Sequence, residues 1–513
     1  MLAVAFLFAL YFSAYLINAY ATFHEYGDLG NYEYSVYFNL HYPQIAHGLQ
    51  MLVIGNHISL LMVLLYPLSY IFPSALTLLF VQLCLLTLAG IAIFFTAEYM
   101  LGDSLLAFVL SLAFFIYPGT IGQMVFDAHF ESAITVFYVL VFYFYARGDM
   151  KLYTLSLLFL FATIESATVL GISFGLAMLL YEWWYVGGGD IRAVSGEKLR
   201  FIGMCLLLSI VMTALYGLVI QSLANAYANG EYPGLPGFLY ITSGSQGGAI
   251  SMVKDFLSNP IGHVAGVLVG YSKGFVSYIT YGVLLVFLGF GISAFFDFFV
   301  SLMLVLPWLG GIFVLDYGSF AIPFSQYYGF VIGPILCGVI LGINESKRRG
   351  NRLAQAMHRL GLNAKNVILI AAVVLPVLLS IAAPLVYLFV LSPLTKFHEV
   401  NAQNLGQFLL FQTNSSEELA YAQLNGVIAK LPPNASIISY ANVWPHIANR
   451  EYAYLFTNYT YFSPEFVLLD TSAYISGGSL CVIADCAAMN STLAHNYTVY
   501  AVNGTAILYK KVR

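Results

Sequence analysis

Six acidic and imidazole side chains interrupt the apolar part of this chain: Asp28, His57, Asp127, His129, Glu131 and Glu165. Ionisable groups in or beside bilayer helices are costly to keep, so each marks a candidate catalytic position. Carboxylates and imidazoles take up and pass on protons, and three together can hold a divalent cation. The densest run is Asp127-Ala128-His129-Phe130-Glu131, which follows Pro118-Gly119. Extended, it puts its three polar side chains on one face. As a helix, it aligns only Asp127 with Glu131. A Mg or Mn site, a proton relay and ordinary solvated helix caps are all open readings of Asp127, His129 and Glu131.

Asp28 sits in His24-Glu25-Tyr26-Gly27-Asp28-Leu29-Gly30, ahead of a stretch rich in tyrosine. The flanking glycines suit a turn that presents one carboxylate at the bilayer surface. Tyr26 and Tyr32 are candidates to stack on a sugar, or members of an interfacial aromatic belt. Gly55-Asn56-His57 comes further on. Glu165, in Thr163-Ile164-Glu165-Ser166, breaks an otherwise apolar run and needs a partner there.

The elements that position these residues follow from composition. The chain is 60% hydrophobic and 8% charged, with a mean hydropathy of +0.83, whereas soluble domains carry roughly 25% charge. A polytopic membrane protein is implied, with the lipid bilayer as its first partner. No basic stretch offers a nucleic-acid surface. Leu2 to Tyr20 lacks a basic leader and a cleavage site, and reads as a retained first helix.

No Lys or Arg precedes Arg147. The basic residues then cluster in three short loops: Arg147 and Lys151; Arg192, Lys198 and Arg200; and Lys347 through Lys365. The positive-inside rule makes these loops cytoplasmic. Threading the apolar runs between them gives about 11 transmembrane helices of near 20 residues. The spans include 104–118, 132–146, the short pair 152–165 and 166–184, then 278–296 and 367–391. The transmembrane domain covers residues 1–391, with large external loops at 22–73 and 223–277. The N-terminus lies inside and the tail outside, in the cell membrane. All six ionisable residues then fall at the external face. Lys254 and Lys273, in the second loop, either meet a lipid phosphate or snorkel at the interface.

Residues 392–513 read as an extracytoplasmic soluble α/β domain, more accessory or acceptor-binding than a second enzyme. Glu417 to Leu431 has helical spacing and stops at Pro432-Pro433. Short β-prone runs follow, at Ile437-Ile438, Tyr452 to Phe456, Phe466 to Leu469, Cys481 to Ala484, Tyr497 to Val502 and Ala506 to Tyr509. The tail carries N-x-S/T sequons at Asn414, Asn434, Asn458, Asn490, Asn496 and Asn503, as an externally glycosylated surface would. Cys481 and Cys486 form a disulfide or stay free; Cys84, Cys205 and Cys337 read as core.

Several stretches resemble the prokaryotic membrane proteins grouped as domain of unknown function 2079. They are Gly27-Asp28-Leu29-Gly30, Gly55-Asn56-His57-Ile58-Ser59, Phe126 to Glu131, Ile164-Glu165-Ser166-Ala167, Leu431-Pro432-Pro433-Asn434-Ala435-Ser436, Trp444-Pro445-His446 and Phe466 to Asp470. That family has Lys before the Glu at 165, and Ile164 stands here instead, so a cation that would meet a phosphate is missing.

The family is similar in layout to the GT-C class of membrane glycosyltransferases, which place an acid just after helix one. The resemblance implies an all-α, GT-C-like membrane domain. It implies transfer of a sugar from a polyprenyl-phosphate donor to an envelope glycan, lipid or protein acceptor. Asp28 would be the general base. This rests on fold-level analogy. The competing readings are a proton- or ion-coupled transporter or flippase, and a non-catalytic envelope-binding protein. A transporter favours internal repeats and mid-bilayer charge; no repeat is evident.

Overall fold

A bilayer satisfies no backbone polar groups, so the apolar runs of this chain must close their own hydrogen bonds as helices. In the computed structural model of the protein, the described residues are 1–228, 254–270, 298–349 and 415–512, apart from 24–26, 42–52, 55–56, 126, 255, 315–325, 440–441, 451, 456–463, 471–492 and 494. The spans expected at 278–296 and 367–391 lie outside them.

The helices run in the order α1 (Leu2–Ala21), α2 (Gly27–His41), α3 (Leu61–Ile71), α4 (Leu76–Leu101), α5 (Ser104–Ile116), α6 (Pro118–Val125), α7 (Glu131–Arg147), α8 (Met150–Thr163), α9 (Ala167–Tyr181), α10 (Gly196–Ala228), α11 (Pro260–Gly270), α12 (Phe298–Phe313) and α13 (Gly329–Arg349). A two-stranded hairpin, β1 (Val53–Ile54) and β2 (His57–Ile58), lies between α2 and α3. Among the described residues, Leu2–Ala21, Leu76–Leu101, Ala167–Val186 and Gly196–Val219 are long and apolar enough to cross a membrane. A bent pair, α5 with α6, makes a fifth candidate. The shorter apolar helices are Leu61–Ile71, Met150–Thr163, Phe299–Phe313 and Gly329–Glu345.

Two Gly-Asp pairs punctuate the bundle. Gly102, at φ 60°, ends α4, and the Asp103 carboxylate caps α5 by accepting the Leu106 N–H at 3.1 Å. Gly148, at φ 74°, ends α7, and Asp149 caps α8 through Leu152 N–H at 3.0 Å. Glycine adopts this left-handed geometry without strain, and each Asp cap contributes about 1 kcal/mol. The span expected at 104–118 needs correction. The chain continues as helix to Val125 after a 43° bend. Pro118 sits in the first turn of α6, where its missing N–H costs nothing and its ring fixes the turn.

Helix α7 is the centre, packed by α4, α8 and α13. The turns alternate between the two ends of the bundle. At one end the Lys347 ammonium donates to the Leu101 carbonyl at 2.9 Å, and Lys198 to the Tyr145 carbonyl at 2.6 Å. Tyr145 and Tyr181 there donate to the buried carboxylates of Glu182 and Glu345. The opposite end holds residues 127–130, the α8–α9 break and the start of α2.

Among its described residues the tail builds a five-stranded sheet from β3 (Ile437–Ser439), β4 (Ala453–Leu455), β5 (Phe466–Asp470), β6 (Tyr497–Asn503) and β7 (Ala506–Lys511), in the order β4-β3-β5-β7-β6. β3 runs parallel to β4 and β5, whereas β7 is antiparallel to β5 and β6. Helix α14 (Ser415–Ile428) packs on β6 and β7, and every residue of β5 is buried. The run at Cys481 to Ala484 lies outside the described residues.

A short helix, α15 (Trp444–Ile447), seats the tail on the α1–α2 junction. The Trp444 indole N–H donates to Asn31 Oδ1 at 3.1 Å, and Asn442 donates to the Phe23 carbonyl at 3.2 Å. The His446 ring lies 4.1 Å from both the Tyr20 and Phe23 rings. Gly30 permits this approach, because a Cβ there would overlap the Trp444 ring. Gly30→Ala is therefore expected to loosen the tail from α2, read as faster limited proteolysis of the tail in purified protein. Unchanged cleavage would argue against this seat.

Candidate active site

The start of α2 carries Asp28, and the segment between α6 and α7 folds back against it. Asp127 is fully buried, and its Oδ2 accepts the Leu29 N–H at 2.6 Å. Asp127 thus caps the first turn of α2 from across the chain, satisfying a donor the helix leaves open. The Ala128 N–H also points at Asp127 Oδ1, at 3.1 Å.

His129 is buried and faces Asp28, with Nε2 3.5 Å from Asp28 Oδ2. Its Nδ1 lies 3.2 Å from the Asp127 carbonyl oxygen. A carbonyl only accepts, so Nδ1 carries the hydrogen. The second ring nitrogen is left facing the Asp28 carboxylate. Burial pushes the imidazole down, but the hydrogen bond to Asp28 and the charge of Glu131 outweigh it, so His129 ends above its usual 6.5. The Asp28 side chain is 48% exposed. An accessible carboxylate thus stands in front of a buried base.

Gln82 on α4 holds this segment in shape. Its amide nitrogen donates to the carbonyls of Gln123 at 2.7 Å and Asp127 at 3.2 Å, and its oxygen accepts the His129 N–H at 2.7 Å. Glu131 is fully buried in the first turn of α7, where the helix dipole favours a carboxylate. The N-terminus of α13 presses on it at Gly329, whose absent Cβ would overlap the Glu131 carbonyl.

Four of the six expected residues come together. Asp28, Asp127, His129 and Glu131 gather. Glu165 Oε2 accepts the Ile58 N–H at 2.9 Å and pins β2 to the α8–α9 break. The His57 backbone lies in β2, while its side chain is outside the described part. Asp127, His129 and Glu131 were also expected as a cation site. Among the described residues no three His, Cys, Asp or Glu side chains group as metal ligands. Both Asp127 oxygens face backbone N–H groups.

Tyr32 also needs correction. It is 4% exposed and sets its edge against His129 and Phe130, so it walls the site and offers no open face to a sugar. Lys254 is exposed, and none of the clustered carboxylates holds it. Tyr26, Lys273, Asn414, Asn458, Asn490, Cys481 and Cys486 lie outside the described residues. Asn434 and Asn496 are exposed, and Asn503 is partly buried.

A family model described as "Predicted membrane protein (DUF2079)" matches residues 27–500. The chain belongs to the DUF2079 family. Among solved structures, ArnT from Cupriavidus metallidurans bound to undecaprenyl phosphate is similar over 98% of this chain and 97% of that one, at 12% identity and a TM-score of 0.45. No curated protein matches this DUF2079 chain.

Sequence reasoning missed two residues at this end of the DUF2079 protein. Gln82 had a signal, being a lone amide in an apolar 26-residue helix. Glu33 had none, sitting among tyrosines. It is 3% exposed on α2, and its Oε2 has no hydrogen-bond partner among the described residues. Burial raises its carboxyl from the ordinary 4.5 to about 7. A raised folded pKa means that the folded state holds the proton more tightly. The stability it contributes is full below pH 4.5 and is lost as pH rises through about 7. The difference is worth about 3 kcal/mol. His129, also raised, adds to the loss in the same direction at higher pH. Glu33→Gln is expected to flatten the fall in melting temperature between pH 5 and 7, measured in detergent; a wild-type slope would show that Glu33 is not its source.

Proposed function

We propose that this protein moves a sugar from a polyprenyl-phosphate carrier to a hydroxyl acceptor at the external membrane face. The acceptor would be an envelope glycan, lipid or protein. The observation that carries the reading is the Asp28–His129 pair. A half-exposed carboxylate at the end of the membrane helices is backed by a buried imidazole 3.5 Å away. Asp28 would draw the proton from the acceptor hydroxyl as it attacks the anomeric carbon. The sugar–phosphate bond breaks, and the phosphate leaves on its lipid. The proton on Asp28 can then pass to His129 Nε2, the lone pair that the Nδ1–H tautomer leaves facing it. Asp127, through Leu29, holds Asp28 in place. No step is assigned to a cation.

The layout shared with GT-C enzymes, an acid just after helix one, points the same way. The basic residues Arg147, Arg192, Lys198 and Lys347 sit at or beside the helix termini of the other end. By the positive-inside rule that end is cytoplasmic, so the tail and Asp28 face out. Among the described residues the buried carboxylates gather at the two ends of the bundle, which does not favour a mid-membrane transport relay.

Mass spectrometry of polyprenyl-phosphate sugars and envelope glycans, in cells with and without this protein, tests the reading. Loss of one glycan residue with build-up of a lipid-linked sugar is expected. No change in either pool would overturn it. A cysteine placed beside Asn434 tests the topology, and should react with an impermeant reagent in intact cells.

A further inference from the structure

Among the described strands the tail sheet has two edges, β4 and β6, and β6, which pairs only with β7, is the longer of them. An edge strand offers unpaired backbone groups to any other strand, and proteins blunt such edges with charge, proline or cover. β6 reads Tyr497-Thr498-Val499-Tyr500-Ala501-Val502-Asn503, with neither charge nor proline. Val499, Tyr500 and Val502 are 56%, 49% and 54% exposed. A register shift between Val499 and Ala501 is the only blunting device in the strand itself. This is a hazard for association with a second copy.

Sequons bracket this strand, and their geometry differs. Asn496 and Thr498 are both exposed, at the point where the chain enters β6. The Asn496 backbone is held, its carbonyl accepting the Val512 N–H at 2.8 Å. At the other end the Asn503 amide donates to the Gln423 carbonyl at 3.0 Å, and the Thr505 hydroxyl donates to Asp470 Oδ2 at 3.3 Å. That second sequon is folded into the hairpin turn and packed against α14.

We infer that Asn496 carries an N-linked glycan whose role is to cover the apolar edge of β6, and that Asn503 stays bare. The donor is a lipid-phosphate-linked oligosaccharide, handled by a sequon-specific transferase separate from this chain. A bond forms between Asn496 Nδ2 and the anomeric carbon. The bond from that carbon to the carrier phosphate breaks, the phosphate leaves on its lipid, and the amide proton goes to the transferase's base. The inference rests on the external placement of the tail proposed above, and on no part of the Asp28 chemistry.

The test is glycopeptide mass spectrometry on protein purified from the membranes of the cells that make it. Asn496 occupied and Asn503 bare is the expected result; Asn496 bare, or Asn503 occupied in its place, overturns it. Thr498→Ala destroys the sequon while keeping Asn496 and touching only an exposed side chain. That variant should shift from monomer to larger species on crosslinking in membranes, and adding Val499→Lys should restore the monomer. A Thr498→Ala protein that crosslinks like wild type overturns the shielding role. The impermeant label near Asn434 separates the two readings. A labelled tail with bare Asn496 sinks this inference alone, whereas an unlabelled tail sinks the topology and the inference with it.

Discussion

Replacing Asp28 by Asn should lower sugar transfer by about 10²- to 10⁴-fold, the usual worth of a positioned general base, with the protein still folded. The amide matches the carboxylate in shape but cannot take a proton at neutral pH. The side chain is 48% exposed, so folding loses little. His129 changes with it. Its imidazole stands above 6.5 against its own burial because of Asp28 and Glu131, so losing the first partner lowers it. The variant should therefore lose turnover more than substrate binding. The measurement is product formation from the lipid-linked sugar identified in the glycan comparison, alongside a melting curve. Near-normal turnover in Asp28→Asn would falsify the base assignment, and a collapsed melting temperature would show Asp28 to be structural instead.

Asp127→Ala should cost both activity and stability. The carboxylate is fully buried and accepts the Leu29 N–H at 2.6 Å. Without it that donor is stranded in a dry site, at a cost of about 1–3 kcal/mol. Leu29 follows Asp28 directly, so the first turn of α2 loses the contact that aims the carboxylate. Misplacing a catalytic group by about 1 Å can cost about 10²-fold. Asp127→Asn keeps an oxygen for Leu29 and should recover most of the stability. Thermal unfolding and turnover, compared across wild type, Ala and Asn, check this. An Ala variant with unchanged melting temperature and turnover would remove Asp127 from the site.

The pairing of Asp28 with the Asp127–Glu131 run was legible because helices in a bundle alternate direction. Residues at the end of α1 and at the α6–α7 turn must then share a face, whatever lies between. The helix boundaries at Gly102-Asp103 and Gly148-Asp149 have a local cause, since one residue takes positive φ and the next caps the following helix. Glu165 shows the limit. Its need for a partner followed from burying a carboxylate, yet one partner is a backbone N–H at Ile58, a group that no sequence pattern marks. Tyr32 looked like an open stacking face because the tyrosines around it are alike. Which one turns inward depends on where α2 rotates against His129.

Apolar run lengths, the skewed placement of Lys and Arg, and the turn residues were enough to establish a helical membrane protein with Asp28 and the Asp127–Glu131 run at one end, because these are short-range constraints of backbone and solvent. The tertiary structure alone decided which acid meets which donor. It made Asp127 the cap of a helix 98 residues away, gave Asp28 to His129, left Glu33 buried at about 7, and seated Trp444 on Gly30. Each of these depends on how distant segments pack, and a hydrogen bond or a desolvation exists only once both partners have arrived.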